Sequence, residues 1–172
     1  DAAVTALAHG ATVTSSKDVN EEGNSVKKSV TVALTAEPAD SRSGTPTVYL
    51  GLDADGKVIQ AGYSAATASL GYGSLSFADA VKNEHIVEKT LREAGVNVVD
   101  GSATLPADKT SYSTYASDGT TLVKENCSFN GTVDINGTAH AWSSVLMYDY
   151  NTANASGNLA DTVRIIYIYV NA

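Results

Sequence analysis

The run Thr162-Val163-Arg164-Ile165-Ile166-Tyr167-Ile168-Tyr169-Val170 constrains the fold more than any other segment of the chain. Read with the period of two that a strand imposes, Val163, Ile165, Tyr167 and Tyr169 fall on one face and Ile166, Ile168 and Val170 on the other. Both faces are apolar or aromatic, the pattern of a strand covered on each side. Only Asn171 and Ala172 follow it in this sequence, and a terminal run frays unless it is paired. The expectation is a strand held between two neighbours in a sheet.

Earlier segments repeat the strand signal with turn residues between them. Ser25 to Ala36 alternates, with Val26, Val30, Val32 and Leu34 on one face. Thr47 to Leu52 and Lys57 to Ser64 flank Asp53-Ala54-Asp55-Gly56, a hairpin turn. Tyr112 to Ala116 and Thr120 to Lys124 flank Ser117-Asp118-Gly119, and Ser128 to Ile135 and Thr138 to Tyr150 flank Asn136-Gly137, the strongest hairpin dipeptide present. Val96 to Val99 reads as a short strand and Asn151 to Asp161 as a loop. One helix is expected near residues 77–94, with Ser76 and Asp79 as an approximate capping box, an apolar stripe of Phe77, Ala80, Val81, Val87, Leu91 and Ala94, and Gly95 as its stop. The fold class is therefore mainly β: an antiparallel β-sandwich or barrel of about eight or nine strands with that one α-helix.

Residues 1–16 read either as a short Ala-rich helix or as an extended arm, and 17–172 as one β-rich domain, long enough to bury a core without disulfides. Charged residues make up 17% of the chain, below the roughly 25% usual for soluble domains, and Thr, Ser, Ala, Gly and Asn fill the gap. A formal charge of -8 argues against nucleic-acid binding, which needs clustered Lys and Arg, and no apolar run of membrane-spanning length is present. Cys127 is the single cysteine, so no intrachain disulfide can form. With Asp1 rather than Met in first place, the expected location is extracellular or cell-surface, a signal peptide having been removed before Asp1.

Chemistry-bearing patterns are sparse. Asp53-x-Asp55-Gly56 begins like a calcium loop, but Lys57 and Ser64 stand where further ligands belong, so Asp53 and Asp55 are weak metal candidates and a turn explains them. His9, His85 and His140 share no metal spacing. Glu84, His85 and Glu88 could form an acid–base cluster on the helix, with a solvated helix face as the bland alternative. Asn126, Asn130 and Asn154 begin N-glycosylation sequons; Asn136 begins another but is explained by its turn. His9-Gly10-Ala11-Thr12-Val13-Thr14 resembles the S-G-A-T-x-T segment of FMN-binding domains, which implies Thr14 as the residue that would carry flavin. The resemblance covers six residues, with His9 in place of Ser and Ala in place of the upstream Asp, and in that family the motif closes a domain that would precede Asp1. No cofactor is expected.

What remains is a function of surfaces rather than of reacting groups. The first expectation is a secreted structural subunit of an extracellular filament, pilus or surface layer, in which the arm of one copy adds as a strand to the sheet of the next. Such head-to-tail contacts do not close and so build fibres. The partner is then the chain itself, with Val4, Leu7, Ala11, Val13, Ile166, Ile168 and Val170 as subunit-interface candidates, and other cell-surface components or glycans as further partners. The alternative is a ligand- or carbohydrate-binding module using Tyr63, Tyr72, Tyr112, Tyr115 or Trp142 as platforms. A small secreted enzyme is the least favoured reading.

Overall fold

The computed structural model describes residues 12–33, 47–66 and 75–172. Eight antiparallel strands form one sheet: β1 (Thr12–Asp18), β2 (Lys28–Ala33), β3 (Thr47–Leu52), β4 (Val58–Ala66), β5 (Ser113–Tyr115), β6 (Leu122–Ile135), β7 (Thr138–Asp149) and β8 (Val163–Asn171). Their order is β1-β2-β3-β4-β8-β7-β6-β5. Two four-stranded meanders thus meet at β4 and β8, where Tyr63 lies opposite Ile168. The final strand is central, between β4 and β7, as its two apolar faces require.

Local chemistry accounts for the hairpins. At the β6–β7 turn both Asn136 (φ 53°) and Gly137 (φ 83°) are left-handed, the requirement of the turn that matches strand twist, and Asp134 Oδ1 accepts the Gly137 N–H at 2.8 Å. In the β3–β4 turn Asp53 Oδ1 accepts the N–H groups of Asp55 and Lys57, each at 2.9 Å. The β5–β6 connection closes around Asp118, whose carboxylate accepts the Thr121 hydroxyl and the N–H groups of Thr120 and Thr121.

Those three donors, the Thr121 hydroxyl foremost, hold the Asp118 carboxyl down at about 2. A carboxyl depressed on folding contributes stability above its unfolded value near ~3.9 and loses it as pH falls through the folded value. Thermal unfolding followed from pH 5 down to 2 is expected to show a fall in Tm with a contribution from this site. Asp118→Asn, uncharged throughout, should flatten that acid limb; an identical limb in the variant would remove Asp118 from the account.

Two helices replace the single one expected over residues 77–94: α1 (Phe77–Lys82) and α2 (Ile86–Glu93). Ser76 caps α1, its Oγ accepting the Asp79 N–H at 3.2 Å and donating to Asp79 Oδ2 at 2.7 Å. At the other end Asn83 Nδ2 donates to Asp79 Oδ1 at 2.8 Å, and His85 turns left-handed with φ 51°. The break has a packing cause. Extending the Phe77-Ala80-Val81 stripe by helical periodicity carries Glu84 and His85 into the core, whereas a new helix gives those buried positions to Ile86, Val87 and Leu91.

A third helix, α3 (Asn151–Ser156), occupies the segment expected to be a loop; its sequence has no apolar stripe, and only Ala153 is buried. Residues 96–99, expected as a strand, are irregular. They are pinned to α2 instead, Arg92 Nη1 donating to Val98 O at 2.8 Å and Arg92 pairing with Asp100 at 2.8 Å. Helices α1 and α2 close one core over Phe129, Val133, Trp142, Leu146, Tyr148, Ile166 and Ile168, the inward residues of β6, β7 and β8.

Candidate interaction face

The face of the sheet opposite α1 and α2 follows from strand register. One row across it reads Thr31, Tyr49, Gly62, Tyr169, Ser143 and Asn130, on β2, β3, β4, β8, β7 and β6 in turn. The next reads Ser64, Tyr167, Val145 and Ser128; flanking rows hold Ala66, Ile165, Met147 and Asn126 on one side and Ser29, Gly51, Gln60 and Asn171 on the other. Over the positions named on β2, β3, β4, β8, β7 and β6, no charged residue stands in these four rows. Charge resumes at the margins, with Lys17 opposite Ser29 on β1, Lys124 opposite Asp149 at one end, and Asp134 near the β6–β7 turn.

Three tyrosines occupy the middle. A Cβ built on Gly62 would lie 2.7 Å from Tyr169 Cδ1 and 2.8 Å from Cε1, so the ring packs against the β4 backbone where only glycine leaves room for it. Ser64 Oγ donates to the Tyr49 hydroxyl at 3.3 Å. Burial pushes the Tyr167 and Tyr169 phenols up from their ordinary value, with Tyr49 adding to the effect. They stay neutral across the physiological range and act as half-buried hydrogen-bonding plates. Exposed Ser128, Asn130 and Ser143 extend the polar, uncharged surface beside them.

The platform residues expected from sequence lie elsewhere. Trp142 (3% exposed) and Tyr112 (7%) are buried on the helix side, and Tyr63 packs against the same core. Tyr115, at the β5 edge, is exposed, and Tyr72 lies outside the described residues. The alternation of the terminal run did place Tyr167 and Tyr169 on one face. That Tyr49 joins them depends on β4 lying between β3 and β8, and the β4–β8 pairing joins residues about a hundred positions apart.

Of the expected subunit-interface residues, Ile166 (0% exposed) and Ile168 (2%) are spent in this chain's own core, with Val170 packed partly buried against them; packing under α1 and α2 replaces the intersubunit role. Val13 lies in β1, opposite Val32 of β2 in the same chain, and Val4, Leu7 and Ala11 lie outside the described residues. Thr14 falls at the irregularity between Val13 and Ser15 in β1.

No protein-family model, curated protein or solved structure matches this chain. Among the described residues no group of three or more His, Cys, Asp or Glu side chains is placed to hold a metal ion, and the Asp53 carboxylate is taken up by its turn. Glu84 pairs with Lys89 at 3.5 Å, while Glu88 is fully buried with Oε1 accepting the Ala103 N–H at 2.8 Å. Glu84 and Glu88 therefore have different partners, while His85 Nδ1 and Glu88 Oε2 are buried without one among the described residues. His140 Nδ1 lies 2.8 Å from Asn171 O. Cys127 is half-buried, its thiol pushed up by burial. Asn126, Asn130 and Asn154 are all exposed, though the Asn154 amide donates to Leu122 O at 3.0 Å. Among the described residues no helix is long and apolar enough to cross a membrane.

Proposed function

We propose that this chain is a structural subunit of an extracellular assembly, and that the tyrosine face opposite α1 and α2 is the surface through which copies meet. The observation that carries the reading is four adjacent cross-strand rows that hold no charged residue over the positions named on β2, β3, β4, β8, β7 and β6, Lys17 on β1 standing at their margin, on a chain of formal charge -8. Copies of like charge repel, so close approach favours the surface that lacks carboxylates. Interface cores are correspondingly enriched in Tyr and Met and depleted of Lys, Glu and Asp. The low charged fraction and the uncharged Ser, Thr and Asn surface support an extracellular location.

A face-to-face contact is isologous and closes into a dimer; growth beyond that needs a second, strand-edge contact. Edge strand β1, which has only β2 as a strand neighbour among the described residues, is where strand addition would occur. A second reading places a carbohydrate on the same face, favoured by the half-buried Tyr49, Tyr167 and Tyr169 rings grouped there, since aromatic plates suit the apolar face of a sugar.

Light scattering across a concentration series tests the proposal. The wild-type mass should rise above the 17.7 kDa of the monomer, and Tyr167→Glu, which sets a carboxylate in the middle of the face, should remain monomeric with an unchanged far-UV spectrum. A wild type that stays monomeric throughout refutes self-assembly. Glycan-array binding that Tyr167→Glu abolishes would then establish the carbohydrate reading.

A further inference from the structure

We propose that Arg164 binds an oxyanion, a carboxylate or phosphate group, at one end of the helix-covered side of the sheet. The site is independent of the tyrosine face. On the helix side a single row across β5, β6, β7 and β8 reads Ser113, Glu125, Tyr148 and Arg164. Four buried side-chain polar atoms lack a partner among the described residues, and two of them, Ser113 Oγ and Arg164 Nε, fall in this row. Orphaned buried groups are rare enough in folded proteins to call for an explanation.

The guanidinium is held in a fixed attitude. It lies 5.2 Å from the centroid of the Tyr148 ring, which is itself anchored by its hydroxyl donating to Leu75 O at 3.1 Å and by the edge contact with Phe77 at 5.3 Å. Its one hydrogen bond among the described residues is long, Nη1 to Thr162 O at 3.5 Å, and it belongs to neither ion pair. Glu125, two strands away in the same row, makes no ion pair with it, and its Oε1 accepts the Tyr150 hydroxyl at 2.6 Å. In a chain with 19 acidic and 11 basic residues, this half-buried cation has no carboxylate within ion-pair distance among the described residues.

A half-buried guanidinium with no ion-pair partner is in an unfavourable state that an anion at its open donors relieves. Its remaining donors form a planar fork suited to two oxygens of one oxyanion, and the side chain is open enough for a ligand to reach them.

The test follows the Arg164 Nε–H resonance by NMR, assigned through its loss in Arg164→Lys, as inorganic phosphate or acetate is added to the full chain at constant ionic strength. A saturable shift with at least one anion is expected. Arg164→Lys keeps the charge but loses the fork, and should weaken binding about tenfold when followed through the Tyr148 and Tyr150 ring signals. A response to phosphate alone marks a phosphate site, to acetate alone a carboxylate site, and to both a general oxyanion site. No saturable shift with either anion, or equal affinity in Arg164→Lys, overturns the proposal and leaves the guanidinium as a stacking partner of Tyr148.

Discussion

Gly131→Ala should destabilise the protein by about 1–3 kcal/mol, although it adds a single methyl group. The added Cβ would stand 2.8 Å from Cζ2 and 2.9 Å from Nε1 of Trp142, whose ring lies across the β6 backbone on the helix side. The ring has nowhere to go. Trp142 is 3% exposed and belongs to the core that α1 and α2 close, so relieving the clash means moving a helix or bending β6. Trp142→Ala removes that packing and is expected to cost about 3–5 kcal/mol by itself. The two changes should not add. In the Trp142→Ala background the ring that Gly131→Ala would strike is gone, so the second substitution should cost nearly nothing. Urea unfolding of the four proteins measures the coupling, and additive losses would mean that Gly131 matters for its backbone rather than for the ring above it.

Glu88→Ala is expected to cost about 1–3 kcal/mol or more, because it leaves a buried N–H without an acceptor. Glu88 Oε1 takes the N–H of Ala103, itself 5% exposed, and so fastens the irregular segment after α2 to the helix. Arg92 makes a second fastening through Val98 O and Asp100. Loss of Glu88 should therefore loosen residues near Ala103 before it unfolds the sheet. The Ala103 amide should exchange with solvent much faster in Glu88→Ala, while amides of β7 and β8 follow global stability. Glu88→Gln, which keeps an acceptor in place, should restore most of the protection; equal exchange in both variants would show that the carboxylate does not hold the loop.

The hairpins were legible in the sequence because their chemistry is local. Asn136-Gly137 supplies two residues that tolerate positive φ, and the alternating runs on either side pair in the register such a turn sets. The terminal strand was legible as one with neighbours on both sides because both of its faces are apolar. The break between α1 and α2 was not, since apolar residues at 77, 80, 81, 87 and 91 mimic one stripe, and only the burial of Ile86 reveals two phases. Helix α3 carries no periodic signal at all. The union of the two meanders at β4 and β8 was hidden for a different reason: contacts between residues near 60 and near 170 leave no mark on the local sequence. The candidate face inherits that limit. Tyr167 and Tyr169 could be grouped by alternation, but Tyr49, Ser64 and Gly62 become their neighbours only through this long-range pairing.

The most direct test of the central claim is hydroxyl-radical footprinting of the wild-type chain at low and high concentration, read residue by residue at the tyrosines. If copies meet through the face opposite α1 and α2, Tyr49, Tyr167 and Tyr169 should become protected as concentration rises, while exposed Tyr115 at the β5 edge keeps its reactivity. Unchanged reactivity of all three, or protection confined to Tyr115, would contradict the account.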